Sequence, residues 1–195
     1  LIIFKFTLNA QVKTEYELDS LELLTFKEEA IHKYLTFFES TLNIIDLRLD
    51  ISERYRSRSN MINLVENTNT KVEDIVRSPN PIFYTIINYS VELLDASKNM
   101  PLFYKKFKYD TAFEFKSGVT ARLDGNRGYR VYNGSMFVLE KLINSINIPG
   151  SLLNEPTFNA YEEGVLKEVK FRIGHDQNKN YELKIEGIKI ILKEN

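Results

Sequence analysis

The order of patterns along this chain predicts an α+β fold in which a long N-terminal helical region packs on an antiparallel sheet formed by the first strand and the C-terminal hairpins. Three observations carry that expectation. Residues 25–51 place apolar side chains at three- and four-residue spacing, and both ends of the chain alternate apolar with polar. Nowhere do strand and helix patterns alternate as a doubly wound sheet requires.

Composition frames the reading. At 195 residues, with 43% hydrophobic and 27% charged, the chain has the makings of a folded domain and not of a disordered one. Its 26 basic and 27 acidic residues give a formal charge of -1, so no global field draws phosphate or an anionic membrane. The absence of cysteine removes disulfides, thiolate zinc sites and cysteine nucleophiles together. No apolar run approaches the roughly 20 residues of a membrane helix. The domain reading is a single α+β unit over 1–195, with 20–76 as a helical extension able to project from it.

At the start, Ile2, Phe4, Phe6, Leu8, Ala10 and Val12 alternate with polar residues, the period of a half-buried strand. Residues 1–11 also read as the end of an export signal closing on Ala10, which Lys5 interrupts. The strand is the preferred reading. After a polar connection at 14–20 comes the long helix. Its apolar seam is Leu24, Ile31, Leu35, Phe38, Leu42, Ile45 and Leu49, broken at Glu28. Thr25 with Glu28 forms a capping box, and Asp19 with Glu22 offers an earlier start. The seam spans about 26 residues, on the order of 39 Å, against a radius of gyration of about 16 Å for a compact chain of this length. Part of it is expected to meet another molecule, first near its arginine-rich end.

Residues 52–61 replace the seam with serines and arginines. Ile62, Val65, Val72 and Ile75 suggest that helix resumes, as a helical hairpin or as one long interrupted helix. Asn80 and Pro81 read as N-cap and first helical residue of a buried helix over 81–98, ended by Asn99 and Pro101. Residues 108–125 then alternate, and Gly125, Asn126, Arg127 and Gly128 separate them from Tyr129–Tyr132 as a hairpin of about four loop residues. Met136, Leu139, Leu142, Ile143 and Ile146 predict a helix over 134–146, followed by a long loop over 149–164. Two strands finish the chain, at 166–173 and from 181 onward. In the last, the apolar phase shifts from Leu183 and Ile185 to Ile188 and Ile190, which predicts a bulge at Gly187.

Candidate sites are sparse. His32 and His175 stand apart from other ligands at zinc spacing, and both read as solvated. The glycine-rich stretch from Asp124 to Gly128 lies between two strands, where a phosphate loop needs a strand and a helix N-terminus, so it reads as a turn. The carboxylate pairs Glu28 with Glu29 and Glu162 with Glu163 are sequence neighbours that do not face each other on a helix. Two arginine–tyrosine clusters remain, Arg54, Tyr55, Arg56 and Arg58, and Arg122, Arg127, Tyr129, Arg130 and Tyr132. They suit a protein interface or a nucleic-acid backbone with stacking.

The expectation is a non-enzymatic structural or assembly subunit, without cofactor, metal or membrane span. Its partners are proteins, in a homo-oligomer or a larger complex such as a virion or a bacterial surface machine. Its contacts come from the long seam and the arginine–tyrosine clusters. The alternative is a nucleic-acid-binding accessory protein using those clusters, and an enzyme with carboxylate chemistry is the third reading. The expected location is soluble, cytoplasmic or in a virion, or exported if residues 1–11 end a signal.

Overall fold

The computed structural model describes residues 15–74, 81–99, 108–115, 120–124, 129–143, 164–175 and 180–191. In chain order these form β1 (Glu15–Glu17), α1 (Ser20–Ile45), α2 (Ile51–Asn63), β2 (Lys71–Asp74), β3 (Ile82–Thr85), α3 (Ile86–Asn99), β4 (Lys108–Phe115), β5 (Thr120–Asp124), β6 (Tyr129–Ile143), β7 (Val165–His175) and β8 (Tyr181–Ile190). The architecture is α+β, helices packed against one sheet. The strand expected over residues 2–12 lies outside the described residues, and so do most of the loop at 149–164 and the pair Glu162 and Glu163.

The earlier of the two helix starts is the one used. Asp19 Oδ1 accepts from the backbone of Leu21 at 2.9 Å and Glu22 at 2.8 Å, and Glu22 Oε2 accepts from the Asp19 N–H at 3.3 Å, which closes a capping box. α1 ends at Ile45, short of the expected Ile51. The Asp46 carboxylate takes the Arg48 backbone N–H and its guanidinium, a local competitor to helical hydrogen bonding. Asp50 then caps α2 by accepting from Glu53 N at 2.9 Å. Of the two readings of this region, the structure is the helical hairpin. Thr41 meets Met61 and Ile44 meets Arg54, as an antiparallel pair requires.

Among the described residues the strands run β1-β5-β6-β7-β8-β2-β3, with β4 also on β6. β4 and β5 lie end to end along one edge of β6, and β7 takes its other edge. The Asp124–Tyr129 pairing shows the expected hairpin. The sheet is not purely antiparallel. β2 runs parallel to β8, Lys71 opposite Gly187 and Val72 opposite Ile188. Val65 prepares that alignment through a parallel bridge to Ile185, with Glu66 N donating to Ile185 O at 2.9 Å and Ile185 N to Leu64 O at 3.0 Å. The chain leaving α2 thus enters along the free edge of β8, which an antiparallel edge strand would otherwise occupy.

Several expected elements change type. Of the helix expected over 134–146, residues 134–143 are strand: Tyr129–Ile143 is one strand, held by β4 and β7 on its two edges, and 144–146 lie outside the described residues. Met136, Val138 and Glu140 point inward at period two, a pattern hidden in the sequence by apolar residues on the other face. The helix expected from Pro81 begins at Ile86, because residues 82–85 pair with β2 as the strand at the end of the sheet, a place that tolerates the neighbouring proline. Thr85 Oγ1 caps α3, accepting from Asn88 N at 3.3 Å. Val72 belongs to β2 and not to a resumed helix, and residues 15–17, read as connection, pair with β5. The bulge is where the phase shift places it. Lys170 faces Gly187 and Phe171 faces Ile185, so Glu186 is the unopposed residue.

One hydrophobic core joins α1, α3 and the sheet. Phe26, Ala30, Tyr34, Phe37 and Ile44 from α1 and Ile86, Tyr89 and Leu93 from α3 bury against Met136, Val138, Val169, Phe171, Leu183 and Ile185.

Candidate functional site

The buried stripe of α1 is Phe26, Ala30, Tyr34, Phe37, Ser40, Thr41, Ile44 and Ile45. It is displaced by one residue, about 100° around the helix, from the leucine-rich seam read in the sequence. Mainly aromatic and small side chains take the inside, in one core with the sheet and α3. Of the seam, Ile45 is buried, while Ile31, Phe38 and Leu42 are half-buried at the margin of the core. Leu49 is half-buried in the connection to α2. Leu24 is 52% exposed and Leu35 40%, and Leu21, one turn before Leu24, is 73% exposed. α1 therefore carries two apolar faces, one seated and one half-buried at the margin of the core, with Leu21, Leu24 and Leu35 exposed.

The first arginine cluster divides by helical phase. Arg54 and Arg58, four residues apart, face inward. Arg54 Nε donates to the Ile44 carbonyl at 2.7 Å, satisfying an acceptor at the end of α1. Arg58 Nε donates to Ser90 Oγ on α3 at 2.8 Å. Tyr55 and Arg56 are exposed, beside the exposed Ile51 and Leu47. In the second cluster Arg122, Tyr129 and Arg130 are strand residues opposite Val131, Asp124 and Leu123, and Arg127 lies outside the described residues. Tyr132 is half-buried. Its hydroxyl donates to Glu22 Oε1 at 3.4 Å, and its ring centre lies 6.5 Å from that of Phe26. His32 is exposed, and His175 is the last residue of β7 rather than part of the turn.

Sequence reading missed a charge cluster inside the core. Tyr34 of α1 donates its hydroxyl to Glu140 Oε1 on β6, and Tyr89 of α3 donates to Asp74 Oδ2 on β2. Lys167 of β7 stands between the two carboxylates, its Nζ 2.9 Å from Glu140 Oε2 and 3.7 Å from Asp74 Oδ2. All five residues are at most 5% exposed. Burial pushes the Tyr34 phenol well above its ordinary value, and the adjacent Glu140 charge adds to this. Burial alone would lower the Lys167 ammonium, but the Asp74 and Glu140 charges outweigh it and hold the group above its ordinary value. Next to this cluster Glu73 Oε2 accepts from Ile190 N at 2.9 Å. The arrangement ties α1, α3 and three strands together through polar contacts that a displaced helix would leave unpaired. Its sequence signal is Lys167, which falls in phase with the inward Val169, Phe171 and Ile173.

Among the described residues, two openings at the surface bear on function. A polar cleft of about 210 Å³ is lined by Glu66, Arg172, Glu182 and Lys184. Its charges pair, Arg172 with Glu66 at 2.8 Å and Lys184 with Glu182 at 2.8 Å, while Arg172 Nε is buried without a hydrogen-bond partner among the described residues. The other is a mostly apolar groove of about 230 Å³ between the first turns of α1 and strands β6 and β7. Phe26, Tyr132 and Ile173 line it with Leu21, Glu22 and Glu29. Among the described residues no group of three or more histidine, aspartate or glutamate side chains is placed to hold a metal, and no helix is long and apolar enough to cross a membrane. Compared with known proteins, the chain matches no family model, no curated protein and no solved structure.

Proposed function

We propose that this protein is a non-enzymatic assembly subunit that makes protein–protein contacts through the open face of α1. The observation that supports it is the placement of Leu21, Leu24 and Leu35 in solvent on a helix whose other face is fully seated. An apolar face of that extent beside an apolar groove is the kind of surface that soluble proteins reserve for contact. Tyr55, Arg56 and Ile51 on α2 offer a second contact surface of the composition enriched at interfaces. The engagement of Arg54 and Arg58 with protein groups takes two guanidinium side chains away from a nucleic-acid reading.

Light scattering over a concentration series tests the self-assembling form, and co-purification with a native partner tests the hetero-complex. In either case Leu24→Ser with Leu35→Ser abolishes the complex and leaves the unfolding transition in place. A complex that survives the double substitution removes α1 as the contact face. A chain that is monomeric at every concentration removes self-assembly.

A further inference from the structure

We propose that the polar cleft between β7, β8 and the chain leaving α2 binds a small zwitterion of the free α-amino acid class, its carboxylate on Arg172 and Lys184 and its ammonium on Glu182. This is independent of the reading of α1 as a contact face. Arg172 of β7 stands directly opposite Lys184 of β8 in the antiparallel register. Like charges so placed cost stability, so the fold alone gives no reason for the pair. Each is met by one carboxylate, Arg172 Nη1 by Glu66 and Lys184 Nζ by Glu182. The Asn63 carbonyl also accepts from Lys184 Nζ at 2.6 Å and holds that ammonium at the cleft. The four charged side chains are 26–37% exposed, and ion pairs in solvent are worth little, so a ligand can exchange with them.

Two further features of the cleft have no account in the fold. Arg172 Nε is buried and has no acceptor among the described residues. Buried N–H groups are nearly always answered, and a guanidinium bound through Nη1 keeps the Nε side of its fork for a second planar acceptor. A carboxylate supplies that acceptor once the partly exposed side chain turns toward it. The second feature is Gly174, which lines the cleft opposite Glu182. Its backbone is outside the left-handed region, and a Cβ there would meet no described atom within 4 Å. Neither conformation nor crowding requires glycine, a residue that weakens a strand and often marks where a ligand comes close. At the other end, both cations near Glu182 approach its Oε1, Lys184 at 2.8 Å and Lys33 at 3.8 Å. Oε2 is therefore the oxygen for an incoming ammonium. The lining holds Arg172 and Lys184 against Glu66 and Glu182, a set that favours neither a net anion nor a net cation and suits a molecule bearing both charges. At about 210 Å³ the cleft falls below the roughly 300–1,000 Å³ of drug-sized sites, so the ligand is small.

The test titrates the full isotope-labelled chain with alanine and, at equal ionic strength, with acetate and with ethylammonium chloride, following amide shifts by NMR. Alanine is expected to move the amides of residues 172–174 and 182–184 saturably and to bind about tenfold tighter than either half-ligand. Gly174→Val fills the open space with a residue type that strands favour and should weaken alanine about tenfold without changing the melting transition. Arg172→Gln removes the guanidinium and should weaken it as much. Alanine binding that survives both substitutions overturns the site, as does an alanine titration with no shift, with shifts that never saturate or with shifts only at other residues. Acetate that binds as tightly as alanine overturns the zwitterion.

Discussion

The two faces of α1 share one helix and are both rich in apolar residues, yet the aromatic one is seated in the core and the leucine-rich one lies at its margin. Phe37 is buried and lies with its ring 6.3 Å from Tyr34 and 6.4 Å from Tyr89, linking α1 to α3. Leu35, two residues before it, stands 40% in solvent. The difference teaches that leucine spacing alone does not decide which side of a helix is inside. The partner surface does, here by selecting Phe26, Tyr34, Phe37 and the small Ala30.

The sharpest way to break the seated side is through its polar centre. Lys167→Met leaves the Glu140 and Asp74 carboxylates buried without their cation, and a loss of about 3–5 kcal/mol is expected in denaturant unfolding. Against this, replacing the whole charged set by apolar residues of similar size would cost far less, since the burial of the ions is itself expensive. Phe37→Ala should lose about 3–5 kcal/mol, whereas Leu35→Ala on the open face should stay within about 0.5 kcal/mol. Comparable losses at the two positions would mean that the open face is covered.

Arg54→Met keeps the aliphatic stem and removes the donor to the Ile44 carbonyl. About 1–3 kcal/mol should go in the same unfolding measurement, with amide protection falling first at the junction of α1 and α2. The smallest effect is a pH dependence. Tyr34 and Lys167 both hold their protons more tightly folded than at their ordinary values of 10.0 and 10.5. The folded state therefore binds more protons than the unfolded state in alkaline solution, and stability falls as pH rises. Their contribution is fully present below about pH 10 and is lost as pH climbs through the raised values. Thermal melts followed across that range should show the decline, and Tyr34→Phe should make it shallower.

Much of the local structure was legible in the residues. The Asp19–Glu22 cap, the hairpin around residues 125–128 and the last two strands follow from neighbouring side chains and turn chemistry. So does the bulge, read at Gly187 and found one residue earlier at Glu186, which a shift in apolar phase reveals because a strand has period two. The candidate site was less legible. Arg54 and Arg58 read as a basic surface until their four-residue spacing met α1 and α3. The groove joins Phe26 to Tyr132 and Ile173, residues far apart in the chain.

By itself, then, the sequence determined the α+β class, the Asp19–Glu22 cap as one of two starts for α1, and the phase of β7 and β8, all set by contacts a few residues long. Only the tertiary structure decided the rotation of α1, the strand at Tyr129–Ile143, the parallel alignment of β2 on β8 and the meeting of Tyr34, Asp74, Tyr89, Glu140 and Lys167. Each of these depends on what lies across the core. Residues 134–143 could satisfy their backbone as helix or strand, and β4 and β7 on either edge settle it. Lys167 could stand inside only because two carboxylates from other strands arrive beside it.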